Sequence, residues 1–95
     1  MPAYVIVWVQ ETHDKDEIRA YRKLAFPSME GRNGTIRVAY GKKSVVEGPE
    51  FEGVAMIEFP TYEEAEEWYH SPAYQEAVKH RLGGADCRAV IVEGV

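Results

Sequence analysis

Three strand-like segments of this chain are apolar on both faces, which restricts its architecture more than any other feature. Successive side chains of a strand point to opposite sides. In AYVIVWVQ, Ala3, Val5, Val7 and Val9 therefore lie on one side, and Tyr4, Ile6, Trp8 and Gln10 on the other. VAMIEFP repeats the pattern, with Ala55, Ile57 and Phe59 opposite Val54, Met56 and Glu58. So does CRAVIVEGV, with Val90 and Val92 opposite Ala89 and Ile91. An antiparallel sheet with one wet face alternates apolar with polar residues, and this one does not. Both faces of the sheet need cover.

The segments between the strands supply helices for one face only. Asp14-x-x-Glu17 offers a capping box, followed by Ile18, Tyr21, Leu24 and Ala25 at helical spacing. Pro27 is expected to kink or restart that helix. Gly31 and Gly34 bracket its exit, and TIRVAYG reads as a second strand that bends at Gly41 before SVVEG resumes it. GPEFEG turns the chain into the third strand, which ends at Pro60. Thr61-x-x-Glu64 caps a short helix to Tyr69. Ser71-Pro72 starts another, with serine as N-cap and proline at the first helical position. Gly83-Gly84 stops it ahead of the fourth strand.

The order β-α-β-β-α-β predicts an α+β, ferredoxin-like fold: a four-stranded antiparallel sheet with its helices on one face. No composition break interrupts it, so residues 1–95 are expected to form a single domain. The second face would then expose an apolar patch of at least several hundred Å², beyond what a soluble monomer tolerates. A second copy packed sheet to sheet about a two-fold axis covers it, which predicts a homodimer.

Other classes of function are disfavoured. A formal charge of −5 argues against a nucleic-acid partner, which calls for a basic stripe; Lys42-Lys43 reads as hairpin decoration. The single cysteine, Cys87, excludes an internal disulfide, fits a reducing cytosol and reads as a small buried hydrophobe. The opening MPAYVIVWVQ lacks the charged region and cleavage site of a signal peptide, and its apolar run is too short to span a membrane. A soluble cytoplasmic protein with no membrane partner is expected. His13, His70 and His80 show no metal-ligand spacing, and no phosphate-binding glycine loop or nucleophile elbow occurs. Neither metal nor cofactor is therefore expected.

What chemistry there is gathers in EWYHSPAYQEAVKHR, Glu67 to Arg81. Tyr74, Val78 and Arg81 are four and seven apart, on one helix face with Ala77 and Leu82. Arg81 is thus expected on the inward stripe, where a guanidinium needs a partner. Glu58 and Glu93 are the candidate partners within the chain; the other reading is that Arg81 awaits an anionic ligand between helix and sheet. At least one of Trp68 and Tyr69 packs inward. His70 falls at the break between helices, a place where functional side chains are often mounted, and is a weak catalytic candidate beside the blander reading of an exposed loop residue. Glu58, a carboxylate in an apolar strand with Arg37 on the neighbouring strand, is a weak general-base candidate. His80 reads as solvated and His13 as a loop residue. The candidate ligand wall is Trp68, His70, Tyr74 and Arg81.

The segments AYVIVWV, EIRAYRKLAFP, EFPTYEEAEEWYHSPAYQ with the later Arg81, and the closing IVEGV resemble, over essentially the whole length, the small bacterial family catalogued as domain of unknown function 1330. The W-Y-x-S-P-x-Y-Q block is its specific part. The resemblance implies a dimeric α+β barrel, and no reaction. Similar proteins in the wider superfamily include cofactor-independent monooxygenases, muconolactone isomerases, haem-dependent peroxidases and stress-induced proteins without known catalysis. No axial histidine is assignable here, so haem is not expected. What the resemblance transfers is Trp68, Ser71, Pro72, Tyr74 and Gln75, and more loosely Arg81, as residues shaping the helix break and its cleft.

Three functional expectations follow. The first is cofactor-free binding or transformation of a small aromatic or anionic organic molecule, monooxygenase- or isomerase-like. The second is a non-catalytic structural or stress-related homodimer. The third is a tautomerase using Pro2 as an N-terminal base.

Overall fold

The computed structural model describes residues 1–95. Strand β1 (Ala3–Thr12) leads into helix α1 (Lys15–Ser28), then β2 (Thr35–Ala39) and β3 (Gly53–Phe59). Helices α2 (Tyr62–Tyr69) and α3 (Pro72–Gly84) follow, and β4 (Ala85–Glu93) closes the sheet. The sheet order is β2-β3-β1-β4 with every neighbour antiparallel, the ferredoxin-like arrangement. No helix is long and apolar enough to cross a membrane.

Register assigns each strand residue to a face. On one face Val5 lies between Ile57 and Ile91, and Val7 between Ala55 and Ala89. This face carries the core: Ala3, Val5, Val7 and Phe59 pack with Ala65 and Trp68 of α2 and with Tyr74, Ala77 and Val78 of α3. On the other face Ile6 lies between Met56 and Val90, and Trp8 between Val54 and Arg88. The core helices pack on the first face and not on the second, where Val90 and Val92 are left exposed.

Local chemistry accounts for the helix ends. Asp14 caps α1, its carboxylate accepting from the amides of Asp16 and Glu17 at 3.0 and 3.3 Å. Glu17 does not complete the expected capping box. It reaches His80 Nδ1 on α3 at 3.1 Å, which makes His80 half-buried rather than solvated. Thr61 Oγ1 accepts from Glu64 N at 3.1 Å, and Ser71 Oγ from Tyr74 N at 3.3 Å. Ser71 also donates to the Trp68 carbonyl at 2.7 Å, which ties the two short helices across their break.

Three further expectations are corrected. Pro27 does not restart α1: it sits in the last turn, where its missing N–H removes a single bond, and the helix stops one residue later. Nor does SVVEG resume β2, since residues 41–52 form no strand. Tyr40 leaves the sheet with φ +58°, a left-handed conformation that turns the chain out of the pleat. Cys87 is half-buried rather than enclosed.

Gly84 sets how closely α3 approaches α1. Its carbonyl accepts from His13 N and Asp14 N at 2.7 and 3.0 Å. A Cβ there would stand 2.8 Å from Glu17 Cβ and 3.0 Å from the Asp14 carbonyl oxygen.

Candidate functional site

Helical spacing puts Tyr74, Ala77, Val78 and Arg81 on the buried face of α3. Arg81 is only 2% exposed, yet no carboxylate reaches ion-pair distance of it, and its Nε has no hydrogen-bond partner. The partners expected from the sequence are elsewhere. Glu58 projects from the opposite face of the sheet and pairs with Arg37 at 3.2 Å. Glu93 lies opposite Ala3, six residues along β4 from Cys87, or roughly 20 Å at strand rise. The guanidinium rests instead over the Tyr21 ring, 5.5 Å from its centroid.

The surroundings keep one fixed charge among neutral phenols. Burial is the largest influence on the Arg81 cation and works against it; the opposing pull of Tyr74 and Tyr21, which raises its pKa, is that of ionised phenolates, and neutral phenols do not exert it. Burial, with Tyr74 second, pushes the Tyr21 phenol well up. Burial also raises Tyr40, against the opposing pull of Arg81 and Arg22. Tyr21 and Tyr74 share a hydroxyl hydrogen bond of 2.9 Å.

Two cavities meet here. A polar one of about 190 Å³ is walled by Tyr21, Arg22, Tyr40, Glu52, Gly53 and Arg81, among others. An apolar one of about 130 Å³ runs between α1 and strands β2 and β3, past Ala25, Met29, Ile36, Ala55, Ile57 and Trp68. Tyr21, Arg22 and Tyr40 line both. Outside the polar cavity an open groove of about 380 Å³ carries Lys15, Arg19 and Arg22 along α1, with Thr12 and Glu52 opposite. Glu52 is engaged by Thr12 through its amide at 2.9 Å and its hydroxyl at 2.6 Å, and those bonds hold its carboxyl below the usual range.

Of the four ligand-wall candidates, Tyr74 and Arg81 come together, and Trp68 stacks on Tyr74 with ring centroids 4.1 Å apart. Trp68 lines the apolar cavity, but its indole N–H is already given to Ser28 Oγ at 3.1 Å. His70 is not with them. It is exposed, pairs with Glu66 at 3.0 Å, and borders a separate groove of about 260 Å³ between α2 and β4. Pro2 precedes β1 at the end remote from Arg81, its carbonyl accepting from Gly94 N at 2.7 Å. No three metal-ligating side chains converge.

Sequence spacing puts Tyr21 in the stripe of α1 but assigns neither it nor Arg22 or Tyr40 to a site. Tyr21 had a legible signal: it is a phenol in the inward stripe of α1, and a buried phenol needs a partner. Tyr40 had none, because its place depends on the turn that replaces the expected strand.

A family model described as Domain of unknown function (DUF1330) matches residues 2–95. The chain belongs to that family. Among solved structures, the chain is similar to a protein of unknown function from Rhodopseudomonas palustris, 25% identical, with TM-score 0.76 over 99% of this chain and 82% of that one. A dimeric ferredoxin-like protein of unknown function from Jannaschia sp. CCS1 matches at 12% identity and TM-score 0.72, over 99% of this chain and all of the other. SnoaB, a cofactor-independent oxygenase from Streptomyces nogalater, matches at 6% identity and TM-score 0.67, over 99% and 92% of the two chains. These last two likenesses are of fold alone. No curated protein is recognisably similar.

Proposed function

We propose that this DUF1330 protein binds a small organic anion between α1 and the sheet, acting as a homodimer joined through the uncovered sheet face. One observation carries the binding reading: Arg81 is a buried cation without a carboxylate, with an unused donor, on the wall of a cavity. A guanidinium in that condition costs several kcal/mol unless an anion completes it. Lys15, Arg19 and Arg22 line the approach and would draw anions in despite the chain's negative charge. The dimer reading is supported by the apolar second face and by similar folds described as dimeric.

Binding is favoured over base catalysis. The polar cavity's only carboxylate, Glu52, is committed to Thr12, while His70 and Glu58 face elsewhere. A cofactor-free reaction in this cleft, oxygenase-like as in SnoaB, would use Arg81 and the Tyr21 phenol to stabilise charge developing on a substrate oxygen.

The test compares benzoate with neutral benzamide by titration calorimetry, in the native protein and in Arg81→Met. Benzoate should bind with a preference over benzamide that the variant loses. Equal binding of the two, or benzoate binding retained in Arg81→Met, would refute the anion site.

A further inference from the structure

Resting on the anion-site reading above, we infer that the ligand is an aryl-substituted monocarboxylate: its carboxylate meets Arg81 in the polar cavity and a six-membered ring occupies the apolar one. The two cavities share Tyr21, Arg22 and Tyr40, so only those side chains stand between them, and the inferred ligand reaches from Arg81 past these side chains into the second space. That space, about 130 Å³ and lined almost wholly by apolar groups, approaches the roughly 150 Å³ cavity known to hold benzene. Phe26, Ile36 and Tyr40 on its rim are exposed apolar residues, which a ligand's ring would help cover.

The charge of the ligand follows from its neighbours. Arg81 and Arg22 supply two positive charges and Glu52 one negative, leaving a net of +1 around the polar cavity. One carboxylate balances this. A second would lie against Glu52 or be driven into the apolar space.

Tyr40 is the specificity-setting wall between the two parts. Its ring is held between Arg22, whose guanidinium lies 5.7 Å from the ring centroid, and Gly53, where a Cβ would stand 2.8 Å from Tyr40 Cδ1. Its left-handed backbone is fixed by an N–H bond to the Val54 carbonyl at 2.8 Å. Glycine at 53 therefore leaves room for the ring in a conformation that most side chains avoid.

The experiment titrates native protein with acetate, benzoate, 3-phenylpropanoate and phenylsuccinate, read by calorimetry. Burying the ring should make 3-phenylpropanoate bind about 10- to 150-fold more tightly than acetate. Phenylsuccinate, with its second carboxylate, should bind more weakly than 3-phenylpropanoate. Ala55→Leu, which fills the apolar cavity, should shrink the ratio of phenylpropanoate to acetate affinity to less than about threefold, because the ring then has no space to enter. Equal affinities for acetate and 3-phenylpropanoate, both lost in Arg81→Met, would overturn the ring subsite while leaving the anion site standing. Tighter binding of phenylsuccinate would overturn the monoanion assignment. Failure of every carboxylate to bind would overturn both readings.

Discussion

Replacing Arg81 with methionine should make the ligand-free protein more stable while destroying its anion site. Methionine keeps most of the apolar stem and removes the charge. The native contacts that are lost are the approach to Tyr21, with the ring centroid 5.5 Å away, worth about 0.5–2 kcal/mol, and the polar neighbours Cys87 and Tyr74. What is relieved is larger: the desolvation of an unpaired buried cation, several kcal/mol, and an Nε donor left without a bond, about 1–3 kcal/mol. Even replacing a buried ion pair by apolar side chains of similar volume is neutral or stabilises by up to about 1–4 kcal/mol, and a cation without a carboxylate has less attraction to lose. For a domain of this size each kcal/mol moves the melting temperature by roughly 4–8 °C.

The assay is thermal unfolding followed by circular dichroism, with and without benzoate. The native protein should melt lower than Arg81→Met when both are ligand-free. Benzoate at about a hundred times its dissociation constant should then raise the native protein by about 2.7 kcal/mol and leave the variant where it was. A variant destabilised by about 3–5 kcal/mol would show that Arg81 is a satisfied structural tie, since that is the penalty for breaking a buried pair. The unfilled-cation argument would then be wrong at its root.

Three other outcomes are expected. Trp8→Glu places a carboxylate on the uncovered sheet face, and sedimentation at micromolar concentration should show a single-chain species; an unchanged dimer would mean the chains join elsewhere. His13 accepts its extra proton readily because Asp86 Oδ2 lies 3.0 Å from Nε2, so its hydrogen bond and charge raise the histidine pKa. Because the folded value lies above the unfolded one, this pair's stabilisation is complete below about pH 6.5 and fades as pH rises through the folded value. An NMR titration should place the His13 midpoint above 6.5 and return it towards 6.5 in Asp86→Asn; a midpoint unmoved by that change would break the assignment. Gly84→Ala should lower stability in urea by about 1–3 kcal/mol, because its Cβ meets the Asp14 carbonyl and Glu17; no loss would mean that α1 and α3 separate freely there.

The fold was legible because strand alternation and helix caps are local. Val5, Val7, Ile57 and Ile91 fall on one face by parity alone, and Thr61 and Ser71 cap the helices their spacing announces. Arg81 was legible as an inward charge for the same reason. Its lack of a carboxylate partner was not, because that depends on how α3 lies along the sheet: Arg81 on α3 stands beside Cys87 near the start of β4, and Glu93 ends that strand. Glu58 was legible, since parity placed it opposite Phe59 and Ile57 and hence on the face away from every helix, which already counted against it as a partner for Arg81. Tyr40 and Gly53 come together only through a turn with a left-handed residue, and TIRVAYG looks like an uninterrupted strand.

The same parity divides the proposed functions between the two sides of one sheet. Along β1, Tyr4, Ile6 and Trp8 belong to the face offered to a second copy, while Val5, Val7 and Val9 belong to the helix side, where Val9 reaches the polar cavity. Each central strand is one residue thick, so Ala55 can face the apolar cavity while Val54 and Met56, its immediate neighbours, face outward. Substitutions at the outward positions should therefore alter association and leave carboxylate selectivity alone; those at the inward positions should do the reverse. If a single change such as Trp8→Glu altered both, the sheet would have to transmit strain across its thickness. In that case the second copy would be needed to hold β3 and Tyr40 in place, and carboxylate affinity would fall with protein concentration along the same curve as dimerisation.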